Sequence, residues 1–289
     1  MAEAKKSIAY QGEPGANSHI ACVEVYPDQD HRACATFEDA FAAVKNRETD
    51  LAMIPIDNSV AGRVADIHHL LPHSGLYIIG EHFQRIHHQL LANEGASLDT
   101  IKSVHSHVHA IGQCRNMIRD LGLEAVIAAD TAGAANDLAQ NPNLDRAVIA
   151  TTLAGEIYGL KSLRTDVEDA DHNTTRFIIL APDPDDADQE DAPVITSFVF
   201  RVRNLPAALY KAMGGFATNS VNMTKLESYQ LEGKFFATQF YADVEGHPED
   251  TGLAFALEEL AFFSSELTVL GVYKADPYRA NIREMAKGR

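Results

Sequence analysis

Between Asp183 and Asp191 six of nine residues are acidic, and Pro182, Pro184 and Pro193 punctuate the run. Such a stretch has no apolar surface to bury, so it reads as a solvated linker over 182–193 that cuts the chain into two separately folding pieces. A length of 289 residues also exceeds the usual size of one core. The run carries six of the excess negative charges in a net −17, set by 24 Lys plus Arg against 41 Asp plus Glu. That balance excludes nucleic acid or an anionic membrane as the main partner, and an anionic ligand would need a locally positive site, from an Arg or a helix N-terminus. No window approaches the ~20 apolar residues of a membrane span, and the N-terminus leads straight into a strand, so a cytoplasmic location is expected. Cys22, Cys34 and Cys114 lack CxxC spacing and read as reduced, mostly buried thiols.

Ahead of the linker, short β-branched runs alternate with segments of helical period. Strands are expected near 7–10, 33–36, 51–56, 76–80, 101–105, 123–128 and 146–150, and helices near 18–25, 37–46, 111–120, 131–140 and 153–158. A further helix is expected from Val60, immediately after Asp57-Asn58-Ser59, ending near Pro72. The pattern implies a two-lobed α/β domain with a mostly parallel sheet and a cleft between the lobes, over residues 5–181. The Gln11–Ser18 loop reads equally well as a binding loop or an ordinary strand-to-helix connection. After the linker the order changes to strand, helix, strand, strand, helix, strand over 194–279, the ferredoxin-like βαββαβ arrangement with helices on one face. Met213, Phe216, Phe262 and Phe263 are expected in its core.

Three polar sets fall at strand ends or strand-to-helix junctions of the first piece: Asp57-Asn58-Ser59, Ser106-His107 with Gln113, and Asn173-Thr174-Thr175-Arg176, the last running into the apolar Phe177-Ile178-Ile179-Leu180. In open α/β sheets such positions share one rim, so side chains distant in sequence are expected to converge on a crevice. A hydroxyl and a guanidinium at a strand end suit an anionic ligand.

In order and spacing, Asp57-Asn58-Ser59-Val60-Ala61-Gly62, Ser106-His107 with Gln113, Tyr158-Gly159-Leu160 and Asn173-Thr174-Thr175-Arg176-Phe177 resemble the motifs of prephenate dehydratases. The second piece resembles that family's ACT regulatory domain through Asn204-Leu205-Pro206-Ala207-Ala208-Leu209 and Asn222-Met223-Thr224-Lys225-Leu226-Glu227-Ser228. The likeness covers about Ser7 to Tyr273. Departures are Asp57 for the family's Glu, Val108 for Pro after Ser-His, Tyr229-Gln230 for Arg-Pro after Glu-Ser, and Pro206-Ala207-Ala208-Leu209 over the Gly-Ala-Leu motif. The resemblance implies a catalytic domain of periplasmic-binding-protein-like architecture, without a fused chorismate mutase. Its reaction would be decarboxylative dehydration of prephenate to phenylpyruvate, carbon dioxide and water, on the way to phenylalanine. It further implies Thr175 as hydroxyl donor to the leaving oxygen, and Arg176 or the helix N-terminus after Asn58-Ser59 as carboxylate holder. Ser106 and Gln113 would orient the substrate and Phe177 would pack on its ring, with no metal and no cofactor. L-Phenylalanine would bind as feedback inhibitor between two ACT copies, at Asn204, Leu205, Pro206, Ala207, Leu209, Asn222, Met223, Thr224, Glu227 and Ser228, in a homodimer or homotetramer. Arogenate is the alternative substrate.

Two other classes compete. His105, His107 and His109 alternate, and His69 and His73 are spaced i, i+4 beside His68, which would suit a zinc hydrolase, yet no HExxH or carboxylate pattern accompanies them. A nucleophilic hydrolase on Ser59 or Ser106 lacks a GxSxG setting. A non-catalytic amino-acid sensor is compatible with the same fold, because fold does not fix function.

Overall fold

The computed structural model describes residues 6–191, 193–203, 205–230 and 237–281. In chain order the elements are β1 (Ser7–Gln11), α1 (Asn17–Val25), β2 (Asp30–Cys34), α2 (Phe37–Lys45), β3 (Leu51–Asn58), β4 (Gly62–Arg63), α3 (Ala65–Ser74), β5 (Tyr77–Arg85) and β6 (Gln89–Ala92). Then follow β7 (Ser103–His107), α4 (Val108–Gln113), α5 (Arg115–Asp120), β8 (Glu124–Ala128), α6 (Thr131–Gln140), β9 (Arg146–Ala150), α7 (Thr152–Tyr158), β10 (Lys161–Arg164) and β11 (Thr174–Ala181). After a 3-10 turn at Gln189–Asp191 come β12 (Val194–Val202), α8 (Ala208–Thr218), β13 (Met223–Gln230), β14 (Ala237–Glu245), α9 (Thr251–Phe263) and β15 (Ser264–Lys274).

The chain divides into two units, residues 1–64 with 83–177, and residues 65–82 with 178–289. The division falls inside β5 and β11 and does not coincide with the expected linker. In the first unit, β1 pairs in parallel with β2 and β3, within a sheet ordered β2-β1-β3-β11-β5. A second sheet is ordered β10-β6-β9-β7-β8, with β7 parallel to β8 and β9 but β6 antiparallel to β9 and β10. The architecture is therefore α/β in two lobes. Each lobe has an aliphatic core, with Leu90, Val104, Cys114, Ala147 and Ile149 fully buried in the second. The lobes meet where the first loop passes α7. There Thr151 Oγ1 donates to the Gly15 carbonyl at 2.5 Å, and a Cβ on Gly15, whose φ is +89°, would lie 2.6 Å from the Ala154 Cα. Backbone contact this close tolerates only glycine. Two of the loop's amides are met within the chain, Gly15 N–H by His19 Nδ1 and Gly12 N–H by the Cys34 carbonyl.

In the second unit the order β13-β14-β12-β15, all antiparallel, is the ferredoxin-like topology expected. One face carries α8 and α9 over a core in which Phe198 stacks on Phe216 and Phe200 on Phe240, with ring centroids 5.9 and 5.2 Å apart. Met213 and Phe263 pack against that core, but Phe262 is 82% exposed. Neighbours on a helix point ~100° apart, so Phe262 and Phe263 cannot both face inward. The register slips between Met223 and Lys225, so Met223 joins the helix-side core while Tyr229 meets His68 and His69 of α3. Residues 65–82 belong to this unit because β5 lies against β15, where a Cβ on Gly271 would overlap the Ile78 carbonyl. Glu81, with no side-chain exposure, holds Arg279 at 2.5 and 2.8 Å.

The acidic run is not a free linker. Ala187 N–H donates to the Val272 carbonyl at 2.9 Å, Gln189 Nε2 to Asp250 at 2.8 Å, and Asp191 pairs with Lys274 at 3.0 Å. Asp191 and Asp250 titrate below the usual carboxylate range because of those side-chain bonds. Composition misses this because the partners are polar groups more than 50 residues away.

Candidate active site

Asn58 ends β3 and Thr175 lies second in β11, two strands adjacent in the sheet order. Asn58 Oδ1 accepts the backbone N–H groups of Val60 at 3.0 Å and Ala61 at 2.7 Å. The chain then turns back through Gly62, φ +84°, into β4, so the helix expected from Val60 is a hairpin and α3 begins only at Ala65, with Pro72 inside it. An Asx turn captures the amides that a helix N-terminus would have offered. The helix-dipole site for a carboxylate after Asn58-Ser59 is thereby overturned.

Because backbone N–H groups can only donate, Asn58 Oδ1 is fixed as the oxygen, and the remaining bonds acquire a direction. Asn58 Nδ2 donates to Thr175 Oγ1 at 2.9 Å and to Asn173 Oδ1 at 2.8 Å. Asn173 therefore turns its Nδ2 to Gln113 Oε1, at 3.0 Å. Gln113 Oε1 also takes His88 Nε2, at 2.9 Å. Two consequences follow. Thr175 Oγ1 is an acceptor in this chain of bonds, so its own proton is left to donate elsewhere, and Gln113 is left with its NH2 to offer. Thr175 is buried, with 9% exposure, and Gln113 is half-buried, so donors left unmet here are costly and wait for a ligand or water. Ser59 supports the same corner, its Oγ donating to the His172 carbonyl at 2.7 Å and accepting Thr174 N–H at 2.9 Å.

The other residues anticipated for the site are placed differently. Successive strand residues face opposite ways, so Arg176 and Asp57 share the face opposite to that of Thr175 and Asn58. Arg176 lies 3.8 Å from Asp57, its guanidinium 5.9 Å above the Phe83 ring, and it is 5% exposed. A grip by Arg176 on the same ligand that meets the Thr175 hydroxyl is thus not what β11 presents. Ser106 is fully buried with its hydroxyl donating to the Ile149 carbonyl at 2.6 Å, which occupies the group expected to orient substrate. Phe177 is 1% exposed and belongs to the core. The three alternating histidines do not share one strand face, since β7 ends at His107 and His109 lies in α4. Among the described residues the set that could chelate a cation is His87, Asp166 and Glu168, where His87 Nδ1 lies 2.8 and 3.2 Å from the two carboxylates, a geometry its own proton satisfies.

Sequence reading missed His88 entirely. It sits in Ile86-His87-His88-Gln89, a polar interruption between β5 and β6, and that interruption is the one local sign of it. Burial holds its imidazole below its ordinary range, against opposing pulls from the Gln113 bond and Glu168.

In the second unit Asn204 lies outside the described residues. Leu205 is 60% exposed, Ala207 takes a left-handed φ of +61° before α8, and Leu209 and Met223 pack on the helix-side core. Asn222 Nδ2 donates to Glu245 at 2.9 Å, Thr224 accepts from Arg279, and Glu227 pairs with Lys225 at 3.3 Å. Pro206 and Ser228 are exposed.

Residues 8–185 match the prephenate dehydratase family model. The chain belongs to the prephenate dehydratase family. It is thus a dehydratase, a lyase, as its motifs implied. It is 50% identical over 275 residues to a bifunctional N-acyl-homoserine lactone acylase/prephenate dehydratase of Komagataeibacter europaeus, covering 95% of this chain and 98% of that one. It is 38% identical to arogenate dehydratase 2 of Petunia hybrida, over 93% of this chain and 72% of that one. Its fold superposes with a TM-score of 0.85 on the prephenate dehydratase of Arthrobacter aurescens crystallised with L-Phe, at 27% identity over 98% of both chains. No helix among the described residues is long and apolar enough to cross a membrane.

Proposed function

We propose that the chain converts prephenate to phenylpyruvate, carbon dioxide and water, and that the Thr175 hydroxyl serves the leaving oxygen. The observation carrying this is the direction of the Asn58–Thr175 bond, which makes Thr175 Oγ1 an acceptor towards Asn58 and leaves its proton to be donated to a ligand. As the ring carboxylate departs, its bonding electrons enter the ring and expel the hydroxyl, on which negative charge develops. A fixed hydroxyl donor and the Gln113 NH2 stabilise that charge without reorganising, and solvent supplies the proton that completes the water. The catalytic set is then Thr175 with Gln113, held by Asn58, Asn173 and Ser59, while the buried Arg176 lies on the opposite strand face beside Asp57. Incubation with prephenate and with arogenate in parallel, following phenylpyruvate and phenylalanine, tests it. Preference for arogenate moves the substrate, and inertness towards both leaves a sensor.

Residues 194–279 are proposed as the ACT regulatory domain, with phenylalanine as inhibitor between two copies at the residues named for it. The superposition on a relative crystallised with L-Phe supports this. Exposed Leu205, Tyr210, Phe255 and Phe262 offer apolar surface for a dimer or tetramer. Three buried free thiols suit a cytoplasmic location.

A second reading, hydrolysis of N-acyl-homoserine lactones, is favoured by the 50% identity to a relative that carries both activities. Here Ser103 Oγ lies 3.3 Å from His105 Nε2, beyond the ~2.6–3.2 Å of a working nucleophile–base pair. Release of free homoserine lactone from an N-acyl substrate would establish the second activity beside the first.

A further inference from the structure

We propose that His88 is a positioning residue of the dehydratase site, acting as a neutral Nε2–H imidazole that fixes the rotation of the Gln113 side-chain amide. The proposal rests on the dehydratase reading, and it concerns a residue that no motif of the chain singles out.

Val60 and Ala61 fix Asn58, Asn58 fixes Asn173, and Asn173 fixes Gln113 with its oxygen towards His88. That oxygen already accepts one N–H, so the nitrogen of His88 facing it at 2.9 Å must carry a proton. The other ring nitrogen, Nδ1, is buried without a partner among the described residues. A proton there would leave an unmet buried donor as well as a buried charge, so the Nε2–H tautomer is the one the site holds. The charged and titratable groups facing His88 are Glu168, whose Oε2 accepts the His88 N–H at 2.9 Å, and the neighbouring His87.

The same short loop clamps both partners. Val167 N–H donates to the His88 carbonyl at 3.0 Å and Asp169 N–H to the Gln113 carbonyl at 2.6 Å, while the Asp169 carboxylate caps α5 through Arg115 and Asn116 N–H. Both backbones are therefore fixed, and the Gln113 side-chain torsions are set by the two bonds to its oxygen, from Asn173 and His88. Without His88 a single bond from Asn173 would hold that oxygen, and the NH2 offered to substrate would lose its aim.

The test uses the full chain. His88→Leu is expected to lower kcat about tenfold, the worth of one aimed hydrogen bond, with a smaller change in KM. His88→Gln, whose amide nitrogen reaches the same oxygen, is expected to recover most of the rate. Gln113→Ala should be slow, and His88→Leu with Gln113→Ala no slower than Gln113→Ala alone, because His88 acts through Gln113. Additive losses, or His88→Gln as slow as His88→Leu, would overturn the proposal. Imidazole nitrogen-15 spectra of the labelled wild type give a readout that needs no turnover. A neutral Nε2–H signal that vanishes in His88→Leu supports it, and an Nδ1–H or doubly protonated His88 at neutral pH refutes it. A wild type inert towards prephenate but showing that signal would sink the substrate reading and leave the tautomer standing.

Discussion

Replacing Thr175 by Val changes one group and little else. The two side chains are nearly the same shape, so the 9%-exposed site should neither open a cavity nor clash. Asn58 Nδ2 loses the acceptor at 2.9 Å but keeps Asn173 Oδ1 at 2.8 Å. The stability cost is about one hydrogen bond, ~0.5–1.5 kcal/mol, a fall in Tm of roughly 1–3 °C for a chain of this length. Turnover should suffer far more. The lost donor is aimed at a charge that exists only as the hydroxyl leaves, and one such donor is worth about 3–4 kcal/mol, or ~10²- to 10³-fold in kcat. Thr175→Ser keeps the hydroxyl and sacrifices a methyl group, so it should lose ~1 kcal/mol of stability yet stay within about tenfold of the wild-type rate. The assay is phenylpyruvate formation from prephenate under saturation, beside thermal denaturation of each variant. A folded Thr175→Val with wild-type kcat would refute the role, and so would a Thr175→Ser as slow as Thr175→Val.

Four further outcomes are expected. Asn58→Asp puts an acceptor against Asn173 Oδ1 and draws the Thr175 proton inward, so kcat should drop ~10²-fold near neutral pH and partly recover as the new carboxyl protonates on acidification, which a pH–rate profile measures. Gly15→Ala must rebuild the contact with Ala154 and should destabilise the protein by at least 2 kcal/mol, read as a fall in denaturation midpoint together with lost turnover. Arg279→Met removes the cation paired with the buried Glu81 carboxylate and should cost about 3 kcal/mol, seen by calorimetry as an earlier transition. His19, His88, His105 and His107 all titrate below their ordinary value, first because burial disfavours the cation. Such groups bind protons more readily when unfolded, so stability is full above pH ~6.5 and declines as pH falls below it, which urea midpoints at pH 7.5 and 5.5 would display.

Much of the fold was legible because period and burial agree in it. The βαββαβ order of the second piece and the strand–helix alternation of the first follow from apolar spacing alone. What escaped detection depends on partners far along the chain. The acidic run looked solvated because Lys274, Asp250 and the Val272 carbonyl are not in its composition. The segment after Ser59 looked helical because Ala61, Val64 and Ile67 have helical spacing, whereas Asn58 captures the first two amides and Gly62 turns the chain. At the site, the motifs pointed to Asn58, Gln113 and Thr175, which the structure joins through Asn173. They could not tell that β11 turns Arg176 towards Asp57, or that Ser106 is spent on a carbonyl. His88 left no periodic or motif signal, since its role lies in one bond to a residue 25 positions on.

The hairpin at Val60 and Ala61 has an evolutionary corollary. Both side chains are exposed, so almost any residue type fits there, yet their main-chain amides orient every proton from Asn58 to His88. Ordinary substitutions at these positions should drift silently, while proline at either one, lacking the amide hydrogen, would scramble proton placement in a reaction whose participants lie on other strands.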